Sequence, residues 1–457
     1  MTGSEDNLGG LGAPQGSAAE AAAEAAAEAA PDLTAAAVDV MPPEIVAGSL
    51  TQYLRAWALR VRSGDAGILP VVAALVLVTV VFQIVSPAGR FLSAGNLVNL
   101  FIQSSVFIVL AMGEGFVLLL GEIDLSMGYV GAIGGIIAAN MVQPGNSYPW
   151  WAAIIVGLAA CAFIGLLQGV IITRLSLPAF VVTLAGYLGW FGVMIILLGA
   201  GGSVPITSSA LPNQAFLYGI VNTNINPTWC WIGLAVIVGV LGISMWLADA
   251  RRRRSGLVAP PVGLTIAKIA FLAVAGIAVV AICNVNRGTY LPISGVPWVL
   301  PVVLAVLAAW TLLLERTSFG RHVYAVGGNA EAARRAGINV LMLRTWCFVL
   351  CSFTAGIAGL IYLAWQGGMT TNINGGQLVL YAVAEAVIGG TSLAGGRGRA
   401  IHGLLGGLVI GAIYNGLYLL GLSIEWQLIA TGLVLLAAVT VDALSRRGAG
   451  TVSVGHA

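Results

Sequence analysis

The sequence predicts an all-α, polytopic membrane protein with about twelve transmembrane helices, within a range of ten to twelve. Apolar residues make up 59% of the 457 residues and charged residues only 8%, whereas soluble globular proteins carry about 25% charged residues. All but three of the 20 Lys and Arg residues fall in segments that a twelve-helix arrangement places on one side of the membrane. Because short loops rich in Lys and Arg stay in the cytoplasm, we predict an inner-membrane protein with both termini cytoplasmic.

The chain divides by composition into three parts. Residues 1–50 contain an Ala/Glu repeat without an apolar stripe, which predicts a disordered cytoplasmic tail and not a signal peptide. Residues 51–445 form the predicted transmembrane domain, and residues 446–457 form a short cytoplasmic tail. A transmembrane helix needs about 20 apolar residues. Apolar runs near this length lie at residues 68–86, 97–121, 126–143, 150–173, 179–198, 230–248, 263–283, 297–314, 342–365, 378–392, 400–421 and 425–442.

Two segments between these runs differ in character. Residues 199–229 carry no charge and are rich in Asn, Ser, Thr, Pro and aromatic residues. This composition fits a partly re-entrant cap on the outer face as well as an ordinary exposed loop with interfacial aromatic anchors. Arg251–Arg254, between the sixth and seventh runs, is typical of a stop signal at the cytoplasmic end of a helix.

A break between helices is expected within the second and third runs. From Ser105 to Val142 the chain is apolar apart from a group of acidic residues, and this length is enough for two crossings. Glycine permits a sharp turn, so the break is expected between Gly121 and Gly128. Asp124 and Ser126 are predicted to cap the helix that follows.

The predicted cytoplasmic loop of residues 315–341 contains the signals of a short helix from Asn329 to Gly337. Asn329 can accept a hydrogen bond from the first free N–H groups, and Glu331 has the charge that favours the first turn. Gly337 can adopt the left-handed conformation that ends a helix. A helix this short is not stable alone in water. It therefore docks either on the protein's own cytoplasmic face or on a separate subunit.

Three motifs in this order give the chain a family resemblance. They are GEIDLSMG at residues 121–128, YAVGGNAEAARRAGINV at 324–340 and AVIGGTSLAGGRG at 386–398. Over residues 68–442 the sequence resembles the permease subunits of bacterial ABC importers for monosaccharides, of the ribose and xylose class. Ribose permeases commonly have Gly where this chain has Glu122, so the resemblance is closer to the xylose type.

The resemblance implies a permease that moves xylose or a related pentose across the cytoplasmic membrane. It also implies three partners besides the lipid bilayer: a separate ABC ATPase subunit that hydrolyses ATP, an extracytoplasmic sugar-binding protein and a second permease copy. In that family the Gly-Gly-Asn-x-Glu-Ala-Ala-Arg stretch lies in the loop that contacts the ATPase. The same role is therefore carried over to Gly327, Gly328, Asn329, Glu331, Ala332, Ala333, Arg334 and Gly337.

Several acidic and hydroxyl side chains in or beside the apolar runs are candidates for the translocation path or the helix break. A charged residue at the centre of a bilayer costs about 2.5 to 3.5 kcal/mol, so such side chains are expected to face protein, water or a cavity. A structural role at the break, contact with a passing sugar and a proton relay are the three roles open to them. The candidates are Glu114, Glu122, Asp124, Ser126, Glu385, Thr391 and Ser392.

Other kinds of chemistry find little support in the sequence. The single lysine, Lys268, follows Ala267, so the Gly-Lys-Ser/Thr of a phosphate-binding P-loop is missing. The five cysteines and three histidines show no metal-ligand or catalytic spacing, so we predict a transport subunit without catalytic residues, metal or cofactor. No clustered basic face suggests nucleic acid. A proton-coupled secondary transporter and a membrane-embedded enzyme are the less favoured alternatives.

Overall fold

The computed structural model describes residues 67–423 except 209, 258 and 289, together with residues 51, 52 and 55 and several residues between 425 and 440. The predicted tails, 1–50 and 446–457, and part of the predicted twelfth run lie outside the described residues. The helices within the described part are, in chain order, α1 (Leu69–Val85), α2 (Ala94–Leu118), α3 (Met127–Met141), α4 (Trp150–Arg174), α5 (Ala179–Leu198), α6 (Pro212–Asn222), α7 (Pro227–Arg254), α8 (Val262–Asn284), α9 (Val299–Arg316), α10 (Ser318–Gly328), α11 (Ala330–Arg335), α12 (Val340–Gln366), α13 (Gly375–Ile388) and α14 (Ala400–Leu419).

The apolar helices lie where the sequence predicts the first eleven membrane crossings. Among the described residues, eight helices are long and apolar enough to cross a membrane by length and composition. Three further apolar helices, α1, α3 and α13, are shorter than 18 residues. A 3-10 helix covers Pro87–Leu92. The strands are β1 (Ser203–Pro205), β2 (Asn224–Ile225), β3 (Val296–Pro297) and β4 (Gly368–Thr370).

The structure corrects several predicted boundaries. Helix α7 continues beyond the predicted end near residue 248 and through Arg251–Arg254, so these arginines form its last turn. Their charge is favourable there because the C-terminal end of a helix is negative. Helix α2 ends at Leu118, before the predicted end near residue 121, because Gly121 has a φ of +76° that does not fit a helix. Helix α13 begins and ends earlier than the predicted run 378–392.

The uncharged segment of residues 199–229 is not an ordinary exposed loop. It contains β1, α6 and β2, and Leu217 of α6 is buried, with 1% of its surface exposed. The Gln143 side-chain amide also donates a hydrogen bond to the carbonyl of Pro205 (2.9 Å). The segment therefore packs on the protein, as the predicted cap would.

The chain falls into two compact units. The described part of the smaller unit is mainly residues 239–272, which cover the second half of α7, a turn and the first half of α8. In this unit Gly242 lies against Ile269, and Thr265 Oγ1 donates a hydrogen bond to Asp249 Oδ2 (2.6 Å). The larger unit contains residues 61–238 and 273–457, and every contact that forms the candidate site lies within it.

Glycines allow the central helices of the larger unit to cross at backbone contact. A side chain at Gly131 of α3 would overlap the carbonyl of Ala355 of α12, and one at Gly359 of α12 would overlap the carbonyl of Gly131. Along its most apolar stretch α12 is 78% buried, whereas α5 is only 17% buried and is apolar on its outer surface as well. An uncovered apolar helix of this kind suits contact with lipid.

Loops that the alternation of crossings places on one side of the membrane contact one another. On one side β1 pairs antiparallel with β4, and β2 pairs antiparallel with β3. On the other side the segments 119–121, 317–339 and 389–399 meet, as described below. We call the surface formed by these three segments the arginine-rich face, after the arginines of the segments 317–339 and 389–399.

Candidate functional site

The three segments of the arginine-rich face are held together mainly by backbone contacts. The N–H of Gly396 donates a hydrogen bond to the carbonyl of Leu119 (2.9 Å). A side chain at Gly327, in the last turn of α10, would overlap the same Leu119 carbonyl. The Tyr324 hydroxyl of α10 donates to the carbonyl of Gly398 (2.7 Å). Burial raises the pKa of Tyr324, so this phenol keeps the proton that it donates.

The short helix predicted after Asn329 is present as α11. The Asn329 side-chain oxygen accepts a hydrogen bond from the N–H of Ala332 (2.9 Å), which is the expected N-terminal cap. The Glu331 carboxylate pairs with Arg334 (3.4 Å) and with Arg335 (3.2 Å) one turn further on. Gly337 has a φ of +87°, the left-handed conformation that ends the helix.

The sequence analysis missed helix α10, which precedes α11 in the same loop. Thr317 caps it by accepting a hydrogen bond from the N–H of Gly320 (3.3 Å). The apolar residues Phe319, Val323 and Val326 recur at the spacing of one helix face, and this pattern could have revealed the helix. Val323 and Val326 are buried, so α10 anchors the loop on the membrane domain.

The residues predicted to contact an ATPase divide into two groups. Ala333 is buried in the protein's own core, with 5% of its surface exposed, and Gly327 lies in the backbone contact described above. The other members of the set are exposed, and they are Gly328, Asn329, Glu331, Ala332, Arg334 and Gly337. A partner that docks on α11 could therefore reach six of the eight predicted residues.

The break between α2 and α3 is organised by two buried carboxyl groups. Glu114 of α2 accepts a hydrogen bond from the N–H of Asp124 (3.0 Å), and both residues are 0% exposed. Asp124 Oδ1 accepts hydrogen bonds from the N–H (2.9 Å) and the hydroxyl (2.7 Å) of Ser126. The break thus turns around side-chain acceptors that replace the missing helical carbonyls.

The predicted capping of α3 by Ser126 is wrong, because its side chain accepts no hydrogen bond from the first turn. Asp124 instead holds the N–H of Ser126 itself, one position before the helix. Ser126 is further held by Gln168 of α4, whose amide donates to its hydroxyl (2.8 Å). Gln168 was not among the candidates named from the sequence. A single amide side chain within an apolar run was the only sign that it has a buried polar partner.

Two further side chains complete this region. Cys351 of α12 lies 3.7 Å from a carboxyl oxygen of Glu114 and can donate its S–H to it. Arg344 of α12 forms an ion pair with Glu122, and both side chains are largely buried. The only signal for Arg344 in the sequence was an arginine near the start of an apolar run. The sequence-predicted residues Glu114, Glu122, Asp124 and Ser126 therefore do lie together.

The other three predicted residues lie elsewhere. Glu385 of α13 is 0% exposed, and its carboxyl oxygens have no hydrogen-bond partner among the described residues. The N–H of Thr391 bonds to the carbonyl of Ala386 (2.9 Å), and the N–H of Ser392 bonds to that of Arg397 (2.8 Å). Thr391 and Ser392 thus shape the turn of segment 389–399 and do not join the buried carboxyl pair.

Helices α3 and α13 both begin inside the membrane domain. A side chain at Gly128, in the first turn of α3, would overlap the carbonyl of Gly375, the first residue of α13. One turn further along α3, Gly131 meets Ala355, close to the midpoint of the 27-residue helix α12. The starts of both helices therefore lie near the middle of the bilayer. At 14 and 15 residues, each is about 21 to 23 Å long, short of the roughly 30 Å hydrocarbon core.

Comparisons with known proteins agree with this architecture. Residues 96–439 match the family described as "Branched-chain amino acid transport system / permease component". The xylose transport system permease protein XylH of Haemophilus influenzae is 36% identical over 377 residues, covering 81% of this chain and 95% of that protein. XylH of Escherichia coli is 32% identical over 383 residues, covering 82% and 92%.

A ribose permease is nearly as similar. The ribose import permease protein RbsC of Escherichia coli is 31% identical over 390 residues, which cover 85% of this chain and 95% of that protein. No solved structure matches the chain. The family match and the apolar helices agree with a multi-pass protein of the inner membrane. The chain belongs to this family of transport-system permease components, and the sugar permeases of the xylose and ribose type are among its relatives.

Proposed function

We propose that this chain is the membrane permease of an ATP-driven importer that moves a pentose such as xylose into the cell. Relatives that cover more than four fifths of the chain are named as xylose and ribose permeases. ATP would be hydrolysed by separate subunits, because the chain has no Gly-Lys-Ser/Thr for a phosphate-binding loop. An extracytoplasmic binding protein would deliver the sugar, and a second copy of the chain would complete the transporter.

The observation that carries the coupling role is the position of α11. It is exposed along one side, capped at both ends and fixed to the membrane domain through Ala333 and α10. An ATPase that binds the exposed residues of this loop would move α10, and with it the segments that contact Leu119 and Gly396. These exposed residues are Gly328, Asn329, Glu331, Ala332, Arg334 and Gly337. Gly327 and Ala333 would transmit this movement from inside the protein and would not contact the ATPase.

The arginine-rich face is assigned to the cytoplasm. All but three of the Lys and Arg residues lie on this side in the twelve-helix arrangement, which places both termini there too. The residues before α1, including the Ala/Glu-rich tail 1–50, would then lie on the same side as the ATPase. The strand pairs β1–β4 and β2–β3 belong to the outer face, where a binding protein would dock.

Glu122 is assigned a structural role. Its carboxylate pairs with Arg344, and its N–H bonds to the carbonyl of Val117 (3.0 Å). Both contacts hold the break between α2 and α3. The preference for xylose over ribose therefore rests on the higher identity of the xylose relatives and not on contact of Glu122 with a sugar.

The proposed function is tested by uptake into sealed vesicles. Radiolabelled xylose or ribose is supplied to vesicles that contain this chain with a candidate ATPase and a candidate binding protein, and each component is omitted in turn. We expect uptake that needs ATP and both partners and persists when an uncoupler collapses the proton gradient. Uptake by the chain alone that stops with the uncoupler would instead identify a secondary transporter, in which buried carboxyls such as Glu114 and Asp124 could relay protons.

A further inference from the structure

A cavity of about 450 Å³ lies beside the starts of α3 and α13. Its volume is within the range of roughly 300 to 1,000 Å³ found for small-molecule sites. The polar side chains that line it are Tyr187, Asn374, Gln377 and Tyr381, with Leu125 and Leu380 among the apolar ones. None of the candidates named from the sequence lines this cavity.

The depth of the cavity makes its polar lining informative. Asn374 precedes Gly375, which meets Gly128 near the midpoint of the bilayer. Irregular backbone and polar side chains at this depth are tolerated where they line a water-filled cavity or contact protein, and not where they face lipid. Asn374 is nevertheless exposed in the single chain. Water, a passing solute or the second copy of the chain proposed above would each give this amide a polar environment.

The polar groups of the cavity are held in place by neighbouring contacts. Asn374 caps α13 by accepting a hydrogen bond from the N–H of Gln377 (3.0 Å), and the Gln377 amide donates to the Tyr381 hydroxyl (2.5 Å). The ring of Tyr187 packs edge-on against Tyr129, with ring centres 5.0 Å apart. The cavity thus presents amides and hydroxyls on fixed helices, next to aromatic surface.

The chemistry of the lining discriminates between solutes. Every side chain that lines the cavity within the described part of the chain is uncharged. An amino acid carries a carboxylate and an ammonium group, which bind best to charged or charge-assisted partners. A monosaccharide is neutral, and its hydroxyls exchange hydrogen bonds with amides and hydroxyls. The cavity therefore suits a sugar better than the amino acids named in the family description.

Building on the proposed function, we propose that this cavity is a mid-membrane station on the sugar path, at which Tyr187, Asn374 and Gln377 bind the hydroxyls of a neutral monosaccharide. The buried pair Glu114 and Asp124 does not line the cavity, so it would shape the break without touching the sugar. Transporter sites near the midplane at the ends of discontinuous helices follow the same physical logic, since half-helix ends offer free backbone groups to a solute.

Water access is tested first, by thiol labelling. All five native cysteines are buried, so a cysteine introduced as Gln377→Cys is the reactive one. A membrane-impermeant, water-soluble thiol reagent is applied to vesicles with the partners present. The control is Leu77→Cys, on an exposed apolar position of α1. We expect labelling of Gln377→Cys, slowed by saturating xylose and unaffected by leucine, and little labelling of the control. Equal reactivity of the two variants would overturn the proposal, as would protection by leucine but not by xylose.

Transport kinetics provide the second arm. Gln377→Leu removes an amide from the cavity, whereas Gln366→Leu makes the same change at an exposed position at the end of α12. Loss of one hydrogen bond to the sugar should raise the KM for xylose about three- to tenfold in Gln377→Leu. The Gln366→Leu control should transport like wild type, and both should retain the ATPase. A wild-type KM and rate in Gln377→Leu would overturn the assignment of the cavity as a sugar site but not the proposed function. Absence of ATP-driven uptake by the unaltered chain would instead count against the proposed function.

Discussion

At the scale of single residues, the break between α2 and α3 depends on acceptors that are buried in the membrane domain. Glu114 reaches across the turn to the N–H of Asp124, and Asp124 in turn holds Ser126. A buried N–H without a partner costs free energy, because water cannot replace the lost bond. Among the three roles considered for these carboxyls, the geometry favours the structural one, since the oxygens of Glu114 and Asp124 that accept hydrogen bonds do so from backbone or from neighbouring side chains.

This structural role predicts a difference between two variants of Glu114. Glu114→Gln keeps an oxygen that can accept the bond from the N–H of Asp124, so its stability should stay close to that of wild type. Glu114→Leu leaves that N–H unpaired and should lower the free energy of unfolding by about 1 to 3 kcal/mol. The measurement is the fraction of monodisperse protein after heating in detergent. Equal stability of the two variants would show that the fold does not need the Glu114 acceptor. A role of this carboxyl in transport would then be the better explanation.

At the scale of elements, α10 and α11 together have one side packed on the membrane domain and one side exposed. Val323, Val326 and Ala333 are buried against the membrane domain, while Ala332 and Arg334 are exposed. A six-residue helix cannot persist alone, so its shape is maintained by the Asn329 cap and by its anchoring through Ala333. The outer side is then available to another subunit without refolding of the loop.

Because α11 has one exposed and one buried side, the same substitution should have different effects at two adjacent alanines. Ala332→Arg adds bulk to the exposed side, so the permease should fold normally but lose most of the ATPase that co-purifies with it and most ATP-driven uptake. Ala333→Arg buries a charge in the core and should lower the free energy of unfolding by several kcal/mol. The yield of folded protein should therefore fall. The matched control, Ala210→Arg, makes the same change at an exposed site in the segment assigned to the outer face.

Co-purification with the ATPase decides this prediction. Retention of the ATPase and normal uptake in Ala332→Arg would show that α11 is not the docking element. Loss of the ATPase from Ala210→Arg as well would show that the change acts through the fold and not through a local contact. The Ala333→Arg variant separates these effects, because it is expected to fail at folding before any partner binds.

At the scale of the whole larger unit, the crossing of α3 and α12 sets the depth at which α3 begins. The crossing requires glycine on both helices, since Gly131 and Gly359 bring the two backbones into contact. Between transmembrane helices the association depends on close van der Waals packing and not on the exclusion of water. Gly128, one turn before Gly131 on α3, lies against Gly375 of α13, so one glycine-lined stretch of α3 meets both α12 and the start of α13.

Substitution at the crossing should therefore affect the entire unit. Gly359→Val forces two backbones apart and should cost more than the roughly 1 to 3 kcal/mol of ordinary overpacking. Gly192→Val is the matched control, because a side chain at Gly192 of α5 would meet open space. Thermal stability in detergent, followed by gel filtration, measures both. A Gly359→Val variant as stable as the Gly192→Val control would contradict the proposed tight crossing.

The sequence by itself determined the approximate positions of the first eleven apolar helices and of the short capped helix α11. These features depend on local composition: a run of apolar residues suffices for a membrane crossing, and Asn329, Glu331 and Gly337 suffice for a helix with defined ends. The break near Gly121 was likewise visible, because a long apolar stretch with glycines and acidic residues cannot cross as one helix. Helix α10 was missed because its short apolar pattern lies inside a polar loop.

Only the tertiary structure decided which distant residues meet. The partners of the break, Gln168, Arg344 and Cys351, come from other helices and could not be assigned by spacing along the chain. The same holds for the contact of Gly128 with Gly375, which places two helix starts at mid-membrane and positions the cavity beside them. The physical reason is that a transmembrane helix is specified by its own residues, whereas its depth and neighbours depend on backbone contacts between elements far apart in sequence.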